Sequence, residues 1–480
     1  MSILQGIEPQ AVMRYFEEIC AIPHGSGNTS AIAGYCESFA RQHGLWHSRD
    51  THDNVIIKKP AAPGYESAAP VLLQGHLDMV CEKAADCRKD MRVEGLDLAV
   101  EGDDIFARGT TLGGDDGIAV AMMLALLEDA DLPAPALECL ITADEEIGML
   151  GAAALDASPL AARRMINLDS EEEGIFTVSC AGGNRTCCRL PLRREAITGI
   201  GAVVTIAGLT GGHSGVEIDK GRANAGMLMG RLLSDWRAAE GIRLVEVAGG
   251  LQDNAIPTEC TALLVASDLS ALRTAAERWQ AALRQEYAPA EPGLTVAVTE
   301  SGAKEYQALT EESACRLLTL LCCAPNGVQA MSGTLPGLVQ TSLNLGILKT
   351  NEDAAELHFC LRSSIGSQKV MMQERLRLLT EALGGSTHIT GDYPAWEYRV
   401  DSPLRDTMAE VYREQYGAEP KVEAIHAGLE CGILSGKLPG LDCVSVGPNI
   451  AEIHTPRERL SVASTARSWR FLREVLRRLR

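Results

Sequence analysis

Basic charge is scarce in this chain. Only 44 lysine and arginine residues face 64 aspartate and glutamate residues over 480 positions, a formal net charge of −20. So acidic a surface repels phosphate backbones and anionic lipid, which argues against nucleic acid or a membrane as partner and favours divalent cations. Long apolar runs are missing too: no stretch of about 18 apolar residues occurs, so no spanning helix is expected. The opening MSILQGIEPQ lacks a basic segment followed by an apolar one, so no export signal is expected either. The Cys-x-x-Cys spacing is absent although there are 15 cysteines. An odd number in a long chain, with Cys187-Cys188 and Cys322-Cys323 adjacent, reads as reduced thiols of a cytoplasmic protein. Histidine is sparse, ten in all, so each one in a polar setting counts.

What is present has a clear order. A chain of 480 residues exceeds what one core usually serves, and two domains are expected. Helical spacing runs from Pro9 to about Ala21, and Asn28-Thr29-Ser30 cap a second helix that ends before Gly44. The runs VLLQGHLDMV, ALECLITADEE and RMINLDSEEEG follow, each closing in acidic or histidine residues. They read as buried strands, with a helix from Asp116 to about Leu127 between the first two. Strand, helix, strand is the pattern of a parallel sheet, whose ligands bind beyond the carboxyl ends of the strands. From about Arg189 the order becomes β-α-β-β-α-β and is then nearly repeated, as in an antiparallel sheet with helices on one side. The expected fold class is therefore α/β, a mixed, mostly parallel sheet with helices on both faces, carrying an inserted α+β domain. Its expected bounds are 1–188 and 393–480 for the first domain and 189–392 for the insert.

The polar residues of interest sit where those strands end. In TLGGDDG, Thr111 to Gly117, two carboxylates lie between a glycine pair and a further glycine ahead of an apolar run. One aspartate suffices as a helix cap; two, beside glycines that free the backbone, suit a metal site. In His76-Leu77-Asp78 the imidazole and carboxylate share a strand face, as a metal-bound histidine and its orienting acid would. Asp144-Glu145-Glu146 and Asp169 close the other two runs, and a solvated loop would explain either alone. The glutamates after Asp169 read mostly as surface. His454 follows the apolar run CVSVG in a loop. All these groups map to one edge of one sheet. Nitrogen and oxygen ligands without cysteine suit zinc, or cobalt or manganese. Two such ions about 3.5 to 4 Å apart need a bridging carboxylate.

The ordered motifs GHLDMV, TLGGDDGI, DEEIGMLGA, INLDSEE and IHTPRE resemble the family of di-zinc dipeptidases and aminoacylases. LQDNAIP and HAGLECGIL extend the likeness along the whole chain, nearest the aminoacyl-histidine (Xaa-His) branch. The resemblance implies two divalent ions, zinc or else cobalt or manganese. Asp115 bridges them, His76 and Asp169 complete one site, and Glu146 and His454 the other. Asp78 then orients His76. Glu145 is the general base for a metal-bridging hydroxide that attacks the carbonyl of a dipeptide with a free amino terminus.

The insert resembles the family's lid, which allows a homodimer, and His213 matches a lid histidine that stabilises the oxyanion from its own or a partner subunit. A turn histidine between glycines is the plain alternative. Asn254 and Arg362 match positions that hold the substrate's carboxylate, although Arg362 also reads as a strand-end surface charge. His426 and Glu430 match residues at the substrate's amino end or the pocket wall, or form a packed loop anchored by Gly428. Relatives commonly carry Asn where Asp116 stands, after a cis peptide. The nearest alternative activity is removal of an acyl or carbamoyl group from an amino acid. A non-catalytic scaffold would have lost ligands, and every ligand and base position is filled here.

Overall fold

The apolar run before His76 forms the strand Val71–His76, buried at every residue. In this computed structural model, which describes residues 2–480, the strand lies near the centre of an eight-stranded sheet. Its order is Trp46–Arg49, Val55–Lys59, Leu137–Thr142, Val71–His76, Arg164–Asn167, Asp442–Ser445, Ile175–Cys180 and Lys421–Ile425. The four strands from Leu137–Thr142 to Asp442–Ser445 run parallel. Val55–Lys59 and Ile175–Cys180 flank them antiparallel, giving a mixed sheet with a parallel centre. Parallel strands covered on both faces need side chains that are apolar throughout.

The helix Gly114–Glu128 follows the same logic. Every residue from Ile118 to Leu127 is buried, because the helix packs against both Val71–His76 and the helix Gln10–Cys20. A helix enclosed in this way is apolar all round, and each of its large side chains contributes about 1.5 to 3 kcal/mol by burial. The helices Pro403–Tyr416 and Val462–Arg478, capped by the side chains of Ser402 and Ser461, pack on each other. A small four-stranded sheet joins Ile450–Ala451 and Arg459–Ser461 to the hairpin Leu98–Glu101 and Asp104–Ala107. His454 lies in the tight connection between the first two of these strands.

The chain divides into two units. The first takes the residues up to Ser179 with Tyr398–Ala424 and Leu429–Arg480; the second takes Cys180–Glu397 and Ile425–Gly428. The second unit is a nine-stranded sheet, antiparallel throughout, with the helices Ala225–Ala239, Leu269–Tyr287, Glu311–Cys323 and Gly366–Ala382. One half has the order Thr295–Leu309, Arg194–Ala207, Cys260–Ala266, Arg243–Gly249, and the other Val339–Thr350, Ala354–Ser363, Gly182–Pro191, Ser386–Tyr393, with the ninth strand, Gly327–Met331, also paired to Val339–Thr350. Each half is a β-α-β-β-α-β unit whose second strand sits at the seam, where Ala248 and Gly249 pair with Lys349 and Leu348. Gly182–Pro191 is the first strand of the second half, and the whole first half is inserted after it. The strand runs across Arg189, where the sequence pattern changes. All 15 cysteines are free. Among the described residues no helix is long and apolar enough to cross a membrane.

Candidate metal centre

Three parallel strands end side by side, with His76 opposite Thr142 and Gln74 opposite Asn167. The residues just beyond those ends, Asp78, Glu145, Glu146 and Asp169, are thereby drawn to one edge. Asp115 joins them from the start of the buried helix. Gly113 there adopts φ 67°, a left-handed conformation natural to glycine, and the Asp115–Asp116 peptide is cis.

Asp115 turns one oxygen to each histidine: Oδ1 is 3.1 Å from His76 Nε2 and Oδ2 is 3.2 Å from His454 Nε2. His454 Nε2 is also 3.0 Å from Glu146 Oε1, and His76 Nε2 is 3.7 Å from Asp169 Oδ1. The other ring nitrogen of His76, Nδ1, is 2.9 Å from the carbonyl oxygen of Asp78 and donates to it. In the neutral ring that leaves the Nε2 lone pair facing two carboxylates, acceptor against acceptor, unless a cation stands between them. Burial alone would lower His76, but its bonds to Asp115, Asp169 and Asp78 outweigh it and raise the ring well above the ordinary histidine range. His454 is pushed up to about 10 by Asp115 and Glu146. Burial would raise Asp115, yet the two histidines hold it well below the usual carboxylate range. Burial lifts Asp169 to about 6.

The surroundings of both rings thus favour positive charge. Among the described residues no lysine or arginine pairs with Asp115, Glu146 or Asp169; their ionic partners are the two histidines. Ligand atoms of His76, Asp115 and Glu146 lie within 4.8 Å of one another, as do those of His76, Asp116 and Asp169. Clustered imidazole and carboxylate donors fit divalent cations.

The supporting residues are more numerous than the sequence suggests. Asp78 holds its carboxylate 3.6 Å from His76 Nδ1, farther than its own carbonyl, and uses it on the neighbouring loop. There it accepts from the backbone N–H groups of Glu145 (3.0 Å) and Glu146 (3.3 Å) and from Ser26 Oγ (2.8 Å). Burial lifts the Glu145 carboxyl well above the ordinary range despite His76. Asp116 is buried, and its Oδ2 accepts the backbone N–H of His76 at 3.1 Å. A Cβ on Gly75 would stand 2.4 Å from that oxygen, so glycine is required beside it. Glu171, which reads as surface, is lifted to about 7 by burial and then by Asp115 and Asp169. Glu430 is fully buried in this unit. Its Oε2 accepts from Gln74 Nε2 and Thr142 Oγ1, both at 2.6 Å, and Asn167 Nδ2 donates to Gln74 Oε1 at 2.6 Å. Glu430 therefore links Val71–His76 to Leu137–Thr142 directly and to Arg164–Asn167 through Gln74, while its Oε1 is buried without a partner. The polar Gln74 within VLLQG was the sequence signal for this network.

A model of peptidase family M20/M25/M40 matches residues 72–478. The chain belongs to that family. It is 38% identical to the cytosol non-specific dipeptidase of Escherichia coli K12, over 100% of this chain and 99% of the relative. The solved aminoacylhistidine dipeptidase of Vibrio alginolyticus superposes with a TM-score of 0.93 at 34% identity, covering 98% of this chain and 97% of that one. The aminopeptidase PepT of Bacillus cereus shares the fold, with a TM-score of 0.56 at 15% identity over 98% and 99% of the two chains.

The remaining candidates of this M20 peptidase lie in the second unit, apart from Glu430. His213 sits on a two-stranded ladder, opposite Ala255, and its Nδ1 accepts from the N–H groups of Gly215 and Val216, both at 3.3 Å. The Asn254 carbonyl accepts from Ser214 N at 2.8 Å, and His213 and Asn254 line a cleft of about 820 Å³. His426 is buried, with Nε2 2.7 Å from Ser342 Oγ. Arg362 is buried too; its guanidinium donates to the Tyr393 hydroxyl at 3.3 Å, its Nε has no partner, and no carboxylate pairs with it among the described residues. A Cβ on Gly215 would lie 2.7 Å from the His426 carbonyl, 3.0 Å from the His213 ring and 3.2 Å from Arg362 Nε, so these three groups converge. Burial and then Arg362 lower both histidines, His426 to about 4.

Proposed function

We propose that this protein is a metal-dependent dipeptidase acting on dipeptides with a free amino terminus, Xaa-His and carnosine-like substrates included. The observation that carries this reading is the carboxylate of Asp115, whose two oxygens each face a different histidine. His76, Asp115 and Asp169 would hold one cation and Asp115, Glu146 and His454 the other. When bound, the pair polarises the scissile carbonyl and acidifies the attacking water. Two relatives named for dipeptide hydrolysis, 38% and 34% identical over nearly the whole chain, support the substrate class.

The chain's own groups divide the remaining work. Among the described residues no ion pair engages Glu145, and its loop is drawn to the same edge as Glu146, so it is placed to take the water's proton and pass it to the leaving amine. Asp78 keeps that loop still by binding the N–H groups of Glu145 and Glu146. His213 is neutral and accepts at Nδ1, so its proton sits on Nε2, available to a developing oxyanion. Arg362, with its free donors, suits a substrate carboxylate, and Asn254 supports the His213 segment.

Supplying the protein with zinc, cobalt or manganese and assaying a dipeptide panel beside N-acetyl and N-carbamoyl amino acids tests this reading. Release of two free amino acids from the dipeptides is expected. Activity confined to the N-acylated compounds overturns it in favour of a deacylase. The proposal extends to zinc as native ion, a cytosolic location in keeping with the free thiols, and a homodimer through the second unit. Metal analysis, fractionation and light scattering check these in turn.

A further inference from the structure

The last residue of the motif IHTPRE is a buried acid to which the resemblance gives no task. Glu458 is 3% exposed, and its carboxylate accepts four consecutive backbone N–H groups of the turn that carries Asp115. Oε2 takes Leu112 N at 2.7 Å and Gly113 N at 3.1 Å, while Oε1 takes Gly114 N at 2.8 Å and Asp115 N at 3.3 Å. No lysine or arginine pairs with this carboxylate among the described residues, so the converging amide dipoles are what offset its burial. The glycines of the turn now have a steric reason. Gly113 needs its left-handed φ of 67°, and a Cβ on Gly114 would stand 3.2 Å from Glu458 Oε1.

Glu458 belongs to the same short loop as His454. That loop is closed by the pairing of Ile450–Ala451 with Arg459–Ser461 and by the bond from Glu458 N to the Thr455 carbonyl at 3.1 Å. His454 itself is held at φ 60°, a conformation that persists in a non-glycine residue only when its surroundings impose it. We propose that Glu458 is a positioning residue that locks the Asp115 turn to the His454 loop, so that both cation sites form together or not at all. The inference rests on the metal-centre reading above and goes beyond it, because Glu458 spends both its oxygens on backbone N–H groups.

Cobalt titration of the metal-free full chain, followed by visible absorption and calorimetry, tests the lock without any assay of turnover. The wild type should take two equivalents. Glu458→Gln sets an NH2 group against two N–H donors, and should weaken both equivalents by about 10- to 100-fold, the usual effect of losing a group that orients metal ligands. Asp442→Asn is the control: that buried acid caps Ser402 and Leu404 at the far end of its strand, opposite Arg164. It should lower the melting temperature at least as much as Glu458→Gln while leaving cobalt affinity unchanged. Gly114→Ala, which crowds Oε1 without removing it, should weaken both equivalents several-fold and serves if Glu458→Gln does not fold. Wild-type cobalt binding in Glu458→Gln or Gly114→Ala, or an equal loss in Asp442→Asn, overturns the proposal alone. A wild type that takes up no cobalt overturns the metal-centre reading as well.

Discussion

His76 and His454 in the first unit are driven to hold positive charge, whereas His213 and His426 in the second are driven to give it up. The side chain is the same and its neighbours differ. Carboxylates surround the first pair and raise it, His454 to about 10. Burial and the Arg362 guanidinium lower the second, His426 to about 4. One unit therefore gathers cations, while the other offers neutral donors beside a fixed cation and suits anions.

The acidic side breaks most sharply at Glu145. Glu145→Gln should lower kcat by at least about 100-fold, the scale of a lost general base, while metal analysis still finds two ions. Near-normal turnover would remove Glu145 from the mechanism. On the basic side, Arg362→Lys should raise KM for dipeptides by roughly 10- to 100-fold, the worth of a charge-assisted bond to a planar fork. Dipeptide amides, which lack the carboxylate, should show no such change; an equal rise for both would detach Arg362 from substrate binding.

The opposed shifts also predict opposed pH limbs in the metal-free protein. The folded pKa of His454 lies above its unfolded value of about 6.5, so its contribution is full below that pH and is lost as pH rises toward 10. His426 lies below its unfolded value, so stability is lost as pH falls from about 6.5 toward 4. Melting curves should show His454→Ala flattening the alkaline limb and His426→Ala the acid one. Bound metal should remove the alkaline limb by taking the proton's place. The smallest effect belongs to Asp116→Asn, which keeps an oxygen for the His76 N–H. Relief of a buried charge should raise the metal-free melting temperature, while cobalt affinity falls less than about tenfold.

The parts that could be read in the sequence are those encoded by neighbouring residues. Apolar runs ending in acids announce buried parallel strands and the edge at which they finish, and that edge is where His76, Glu145, Glu146 and Asp169 stand. Asp116 was visible as a second acid, but not its target, because the backbone N–H of His76 lies 40 positions away. Glu458 ends the motif IHTPRE, but the turn it holds lies 343 to 346 positions away. Glu171 reads as a solvent-facing acid, and the bonds that Glu430 makes are hidden, for the same reason: burial is decided by strands far off in sequence. The two-part character of the insert was visible in its repeated order. The partnership of Gly182–Pro191 with Ala354–Ser363 was not, since a complete half intervenes.

That nesting also governs how the chain can be made. During synthesis Gly182–Pro191 emerges early and must wait unpaired while the strands from Arg194 to Leu309 assemble beside it, for its neighbours appear only with Ala354–Ser363 and Ser386–Tyr393. A waiting strand is an aggregation hazard, and a half that closes first shortens the wait. The catalytic edge comes later still, because Asp442–Ser445 and the His454 loop leave the ribosome after the whole second unit. A nascent chain therefore lacks His454, one of the proposed cation ligands, until the second unit has been made.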